Sequence, residues 1–502
     1  MTTVRNLVQG MEYIRIEGSL DKAVESLAYD SRKVAPGTLF VCVRGYVVDG
    51  HAFLEKAIAG GAVAAVIQKD QTVIAQDDLV RLAKENNLTI VAVDNTRQAL
   101  ARISSHYFGD PTEKLAVYGI TGTKGKTTTT YMVRDVLLRA GHTTGLVGTV
   151  ANIIGEEVRP ASHTTPESYE LQSVLAEMVG AGSDSCVMEV SSQGLMLDRV
   201  YGMRFAVGAF TNLYHDHIGP TEHANMEEYL DAKRKIFDRS DVGLINMDTP
   251  VSLDLIAYAS KRTEVITFGI DNSCDVRALH LTKQLRGDRI GTSFQIESPW
   301  YTGECYVGMP GKFNVYNALC AAAVAGIAGV SFDHVLESLA EVRVPGRIQP
   351  VKNDLGFQVF VDYAHNAASL ENVLITLREY CEGRLITVFG CGGNRSKTRR
   401  FEMGEVSGNL SDLTVITSDN PRSEEPMDII ADILVGFDKT TGVREVEPDR
   451  KEAIRRALSI AKPGDFVLIA GKGHEDYQIF KDRTIHFDDA QTALELLAEL
   501  HV

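Results

Sequence analysis

The segment Gly119-Ile-Thr-Gly122-Thr123-Lys124-Gly125-Lys126-Thr127-Thr128 combines residue types that suit a polyphosphate. Glycines let backbone N–H groups approach phosphate oxygens, and the start of a helix favours negative charge. Lys126 can reach terminal phosphates, and the Thr127 hydroxyl can ligate Mg²⁺. The strict phosphate-loop spacing wants glycine where Ile120 stands, so this is a variant loop flanked by Gly119 and Gly122. A glycine-rich strand–helix turn that binds nothing is the alternative.

Further chemistry-bearing residues follow. Glu189 sits in Val187-Met-Glu189-Val-Ser191-Ser192, at the end of an apolar run. A carboxylate at the C-terminal end of a strand faces the ligand crevice of an open α/β sheet. It could hold Mg²⁺ directly or through water, or cap a nearby loop. His215-Asp216-His217 clusters groups able to bind metal or orient phosphate, although loop histidines are often solvated. Lys233, in Tyr229-Leu-Asp-Ala-Lys233-Arg-Lys, reads by itself as a solvated helix lysine. Asp419-Asn420-Pro421-Arg422 is a turn signal, since Asn-Pro favours turns. Its arginine, with Arg395 in Phe389-Gly-Cys-Gly-Gly-Asn-Arg395, can also pair with carboxylates. A dinucleotide fingerprint would need glycine where Arg395 stands.

The elements that must position these residues are strand-like runs alternating with amphipathic helices. This predicts α/β layers with mostly parallel sheets. Short buried strands are expected at Leu39–Val43, Ala64–Ile67, Thr89–Val93, Ala116–Ile120, Ser185–Glu189, Val359–Val361, Leu385–Phe389, Leu413–Thr417 and Phe466–Ala470. Helices are expected at Thr96–Tyr107, Thr127–Ala140, Ser168–Val179, Met226–Phe237, Asn314–Ala328, Ala368–Tyr380 and Arg450–Ile460. Turn signals at Gly109-Asp110-Pro111 and Val344-Pro345-Gly346-Arg347 divide the chain into 1–110, 111–345 and 346–502. Three domains also suit 502 residues at roughly 150 per domain.

The formal net charge of −16 argues against general binding to nucleic acid or to anionic membranes. It permits a local basic pocket. The seven cysteines include no C-x-x-C pair and read as reduced thiols. The N-terminal residues have no apolar core of signal-peptide length, and the longest apolar stretch, Cys320–Val330, is about half of what would span a bilayer.

Taken together, these stretches resemble the Mur ligases, the ATP-dependent amide-forming enzymes of peptidoglycan precursor synthesis, over nearly the whole chain. The resemblance implies an α/β protein of three domains: an N-terminal uridine-nucleotide domain, a central P-loop-type ATPase sheet and a C-terminal Rossmann-like domain that binds the amino acid. Asp30-Ser31-Arg32 and Arg44-Gly45-Tyr46-Val47-Val48 resemble the segments that hold the UDP moiety, with Ser31, Tyr46, Val47 and Val48 as contacts and Tyr29 nearby. His163-Thr164-Thr165-Pro166 resembles the N-T-T-P substrate loop, and Ser191 and Arg199 carry over as contacts to a UDP-muramoyl dipeptide. The central loop resembles G-T-N-G-K-T-T with Lys124 for Asn, and departures also occur at Leu197, His223 and Asn366.

By the same resemblance, Gly122–Thr128, Asn314, Arg347, Asp362 and His365 would bind ATP. Thr127, Glu189, His217 and a carbamylated Lys233 would hold Mg²⁺, with Lys126, Glu189, His217 and Lys233 catalytic. Arg395, Asp419, Asn420, Pro421, Arg422, Gly471 and Glu475 would hold meso-2,6-diaminopimelate. The implied reaction joins that diamino acid to UDP-N-acetylmuramoyl-L-alanyl-D-glutamate through an acyl phosphate. The implied protein is a cytoplasmic monomer with no nucleic-acid or membrane partner. With ligands so anionic, Lys126, Arg199, Arg347, Arg395 and Arg422 are expected to line the cleft.

Overall fold

The structure is a computed structural model that describes residues 2–45, 48–216, 218–219, 222–286 and 289–500. Tyr46, Val47 and His217 therefore lie outside the described residues. The chain forms two compact units. One comprises 1–278, 296–302 and 316–335, and the other comprises 279–295, 303–315 and 336–502.

Within the first unit, a five-stranded sheet has the order Ile14–Glu17, Thr89–Val93, Ala62–Gln68, Thr38–Val41, Ser26–Ala28. All its neighbours are parallel except the first pair. Alternate strand residues feed two cores: Leu39, Val41 and Val66 pack on one face, and Phe40, Ala65 and Ile90 on the other. Helix Thr96–Tyr107 starts where expected because the Asn95 side chain accepts from the N–H groups of Arg97 and Gln98.

A second, eleven-stranded sheet contains the parallel series Thr144–Val147, Ser185–Glu189, Ala116–Thr121, Phe205–Phe210, Ser240–Asn246, Glu264–Gly269. Its edge beside Thr144–Val147 is the antiparallel hairpin Ala151–Ile154/Glu157–Pro160. Strands Val276–Arg286, Arg289–Glu297 and Thr302–Val307 complete it. Neither the hairpin nor these three strands was expected from the sequence. The parallel arrangement places the C-terminal ends of Ala116–Thr121 and Ser185–Glu189 side by side, with Glu189 opposite Ile120. This is what brings the glycine-rich loop to the carboxylate.

Within the second unit, a six-stranded sheet runs Gln349–Val351, Gln358–Asp362, Phe466–Ala470, Leu385–Phe389, Leu413–Ile416, Arg444–Val446. Only the first pair is antiparallel. Residues of helices Ala367–Arg378, Lys397–Leu410 and Pro426–Phe437 build one core. Residues of Arg450–Ile460 and Asp489–Leu500 build another. Two apolar cores fed by alternate strand residues are the signature of a doubly wound sheet, as the Rossmann-like expectation required.

Candidate active site

The phosphate loop links buried strand Ala116–Thr121 to helix Lys126–Arg139. Gly125 stands at φ +85°, and a Cβ there would lie 2.5 Å from Asn317 Oδ1. Only glycine meets both conditions. Asn317 also accepts from Thr129 Oγ1 at 3.1 Å. The outer side of the loop is fixed by its neighbour: Asn212 Oδ1 accepts from Lys124 N (2.8 Å), and Thr211 Oγ1 donates to Lys124 O (2.9 Å). The Lys124 ammonium pairs with Asp216 at 3.1 Å.

Lys126 Nζ donates to Gly122 O (2.9 Å) and Thr123 O (3.1 Å). Lys233 is only 1% exposed and donates to the same Gly122 carbonyl at 2.9 Å. This corrects the reading of Lys233 as a solvated helix lysine. Helix Met226–Arg234 buries the face that carries Tyr229, Ala232 and Lys233. The Lys233 ammonium lies 4.7 Å from the Tyr229 ring centroid, and Tyr229 Oη hydrogen-bonds Thr123 Oγ1 at 3.1 Å. Burial pushes the Lys233 amine well below the usual lysine range, the nearby Lys126 charge pushes it further, and Asp216 opposes both.

Glu189 is buried and accepts from three donors: Thr127 Oγ1 (3.0 Å), Thr149 N (2.8 Å) and Thr149 Oγ1 (3.1 Å). Thr149 was not anticipated. It sits after strand Thr144–Val147 and also meets Thr164 Oγ1 at 2.9 Å. Thr165 Oγ1 donates to Glu189 O and accepts from Ser191 N, each at 2.9 Å. Arg199 donates to Thr165 O (2.9 Å) and pairs with Glu167 (2.7 Å). One connected network therefore joins Thr127, Glu189, Thr164, Thr165, Ser191 and Arg199. Ser191 Oγ accepts from Gly194 N at 3.0 Å, capping the short helix Ser192–Met196. His163 and Val48 are exposed, and Ser31 is half-buried in the turn Ser31–Lys33. Tyr29 Oη donates to Glu170 at 2.9 Å.

In the second unit, both Asp362 oxygens accept from backbone N–H groups, Ile348 N at 2.7 Å and Ala364 N at 2.8 Å. Burial still raises its carboxyl above the ordinary range. Ile348 stands at φ +41°, a strained conformation for a β-branched residue, and Asp362 holds its N–H. Arg347 lies over the Tyr363 ring (4.9 Å to the centroid), against which His365 and His474 also pack. Burial, with Arg347 and His365 nearby, pushes His474 down to about 4. Asn314 is fully buried and donates to Pro310 O at 2.8 Å.

At the C-terminal end of the six-stranded sheet, residues 417–419 cross over Gly390. A Cβ at Gly390 would lie 2.3 Å from Thr417 O, so the crossing needs glycine. It brings Asp419 beside Gly471: a Cβ on Gly471 would lie 3.5 Å from Asp419 Oδ2. Asn420 Nδ2 donates to Glu475 Oε2 at 2.8 Å. Arg422 Nη1 donates to Gly393 O at 2.9 Å, while Arg395 is exposed. The two segments singled out from the sequence, Asp419–Arg422 and Gly471–Glu475, thus meet in one place.

Three family models match this chain: Mur ligase family, catalytic domain, over residues 23–108; Mur ligase middle domain over 120–325; and Mur ligase, glutamate ligase domain, over 346–473. The UDP-N-acetylmuramoyl-L-alanyl-D-glutamate–2,6-diaminopimelate ligase of Clostridium perfringens (strain 13 / Type A) is 43% identical to it, over 98% of this chain and 99% of that protein. The chain belongs to the Mur ligase family.

The like-named protein of Bacillus velezensis is 41% identical over 96% of each chain. A solved structure of a UDP-N-acetylmuramoyl-L-alanyl-D-glutamate–2,6-diaminopimelate ligase superposes with TM-score 0.72 at 27% identity, covering 100% of this chain and 99% of that one. Folylpolyglutamate synthase of Mycobacterium tuberculosis shares the fold alone, with TM-score 0.61 at 18% identity over 80% of this chain and 95% of that one. The three-domain α/β fold expected from the sequence is thereby borne out.

Besides Thr149, the residues Arg450, Asp489 and Lys472 of this Mur ligase escaped the sequence reading. Arg450 and Asp489 form a fully buried pair at 2.7 Å, and Arg450 also donates to Ser418 O (3.2 Å) and Ala470 O (3.0 Å). It ties together the starts of the two segments that meet at the sheet end. Lys472 is buried between Asn420 and Glu475. Its position inside Gly471-Lys472-Gly473-His474-Glu475 was the available signal. Among the described residues, no group of three or more His, Cys, Asp or Glu could hold a metal ion. No described helix is long and apolar enough to cross a membrane.

Proposed function

We propose that this protein joins meso-2,6-diaminopimelate to UDP-N-acetylmuramoyl-L-alanyl-D-glutamate at the expense of ATP, as a monomer in the cytoplasm, in peptidoglycan precursor synthesis. Residues 1–110 take the uridine nucleotide, 111–345 take ATP, and 346–502 take the amino acid. The observation that carries this reading is the full-length match to ligases so named. It includes the Asp419–Arg422 and Gly471–Glu475 segments, which a nucleotide switch would not need.

In the proposed reaction, the γ-carboxylate of the D-glutamyl residue attacks the γ-phosphorus of ATP. The bond to the β–γ bridging oxygen breaks, and ADP leaves. The amino group of diaminopimelate then attacks the acyl carbon, loses a proton, and expels inorganic phosphate. Both substrates that meet first are anionic, so neutralising charge is the main task. Lys126 is placed to leave its loop carbonyls for phosphate oxygens, and the N–H groups at the start of helix Lys126–Arg139 add to it. The Thr127 hydroxyl and the Glu189 carboxylate, 3.0 Å apart, are hard oxygen donors of the kind Mg²⁺ takes together with phosphate oxygens and water. They would hold the cation with His217 and carbamylated Lys233. Bound there, Mg²⁺ would supply charge stabilisation to the phosphoryl group.

Thr164, Thr165, Ser191 and Arg199, linked to Glu189 by hydrogen bonds, would position the nucleotide substrate's peptide end, with His163 and the residues Ser31 and Tyr46–Val48 toward the uridine. Gly122–Thr128 with Asn314, Arg347, Asp362 and His365 would take ATP. Arg395 and Arg422 would pair with the carboxylates of diaminopimelate. The test is mass-spectrometric detection of the UDP-tripeptide when all three substrates are mixed with the protein. Omitting ATP should abolish the product.

A further inference from the structure

Lys472 is 0% exposed. Its Nζ lies 3.3 Å from Asn420 Oδ1, 3.5 Å from Asp419 Oδ1 and 3.5 Å from Glu475 Oε2. The Asn420 amide is held at both ends: Oδ1 also accepts from Ile479 N at 3.0 Å, and Nδ2 donates to Glu475. With both ends engaged and only 3% of the residue exposed, Asn420 is better placed to shape the cluster than to serve the diamino acid directly. Asp419 Oδ1 accepts no hydrogen bond, and among the described residues its ion-pair partner is Lys472. Two carboxylates thus share one buried lysine. Arg450, the other buried cation nearby, is already paired with Asp489, and burial raises the Glu475 carboxyl, so Asp419 carries the charge left in excess. A buried charge in excess invites a cation.

We propose that Lys472 is a positioning residue for amino-acid selection: with Asn420 it holds Asp419 and Glu475 so that their carboxyl groups receive an ammonium group of the incoming diamino acid. Lys472 is enclosed and acts through these three partners rather than by touching the ligand. The proposal rests on the ligase reading above and names a determinant of its amino-acid site.

The test uses the full-length enzyme and the Michaelis constants of all three substrates. Lys472→Met keeps the aliphatic stem and removes the charge. The expected result is a KM for meso-diaminopimelate at least tenfold higher, with KM for ATP and for the UDP-dipeptide within twofold of wild type. Lys472→Met/Asp419→Asn, which removes the stranded carboxylate charge, should recover thermal stability but not that KM. If Lys472→Met does not fold, Lys472→Arg tests the same point, because a guanidinium cannot place one compact charge among three oxygens. It should raise the same KM severalfold. An unchanged KM for diaminopimelate in a folded variant, or an equal rise in all three constants, would overturn the proposal alone. A wild-type enzyme indifferent to the diamino acid would overturn the ligase reading, and this proposal with it.

Discussion

Lys126 and Lys233 donate to the same acceptor, the carbonyl oxygen of Gly122, each at 2.9 Å. A charge on the buried Lys233 amine would be repelled by the Lys126 ammonium, and burial already disfavours it. Converting the buried amine to a carbamate would replace that repulsion with attraction to Lys126 and provide an anionic oxygen ligand. Lys233→Ala is accordingly expected to lower kcat by about 10²-fold or more. A short carboxylate such as acetate should restore part of it. Incubation with ¹³C-bicarbonate should give a carbamate resonance in the wild type that Lys233→Ala lacks. Full activity in the variant would remove Lys233 from the mechanism.

Arg450 and Asp489 make a different kind of demand. Both are fully buried, and two backbone carbonyls depend on the same guanidinium. Arg450→Met strands the Asp489 charge and should cost about 3–5 kcal/mol, read from the urea midpoint. Arg450→Met/Asp489→Leu should recover much of that loss, because the stranded charge is gone. Equal loss in both variants would show that the carbonyl bonds matter more than the pair.

His474 predicts a pH dependence. Its folded value of about 4 lies below the ordinary 6.5, so between these two the unfolded chain binds the extra proton. Stability from this group is full above about pH 6.5 and declines as pH falls toward 4. A titration of its ring protons by NMR should show no transition between pH 5 and pH 9. A midpoint near 6.5 would contradict the packing of His474 against Tyr363 and beside Arg347.

Lys124 stands where the family usually has Asn. Its pair with Asp216 is part-exposed, 44% and 38% at the two side chains, and such pairs contribute up to about 1 kcal/mol. The loop backbone is held independently by Thr211 and Asn212. Lys124→Asn should therefore change KM for ATP by less than about fivefold, and less at high salt. A loss of activity would mean that the extra cation is essential here.

Much of this was legible in the sequence because it is written in local pattern. Thr89–Val93, Ser185–Glu189, Leu385–Phe389 and Phe466–Ala470 are apolar runs bounded by turns, and they form strands with those limits. The hairpin Ala151–Pro160 was not legible, since its two short strands flank Gly155-Glu156 without a long apolar run. Val276–Arg286 alternates into polar residues and gives no buried-strand signal. Lys233 and Arg450 sit in charged helical segments that look solvated, and only the tertiary packing shows that each turns inward. Thr149, donor to Glu189, lies outside every motif. The glycine loop and Asp419–Arg422 were legible because their chemistry depends on residues close in sequence.

The most direct test of the central claim is release of inorganic phosphate from ATP in the presence of Mg²⁺ and UDP-N-acetylmuramoyl-L-alanyl-D-glutamate, with meso-diaminopimelate or lysine as the amine. The account predicts strong stimulation by meso-diaminopimelate and little by lysine, which lacks the second carboxylate that Arg422 and Arg395 would bind. Equal stimulation by lysine would contradict the role of those arginines. No stimulation by either amine would contradict the ligase itself.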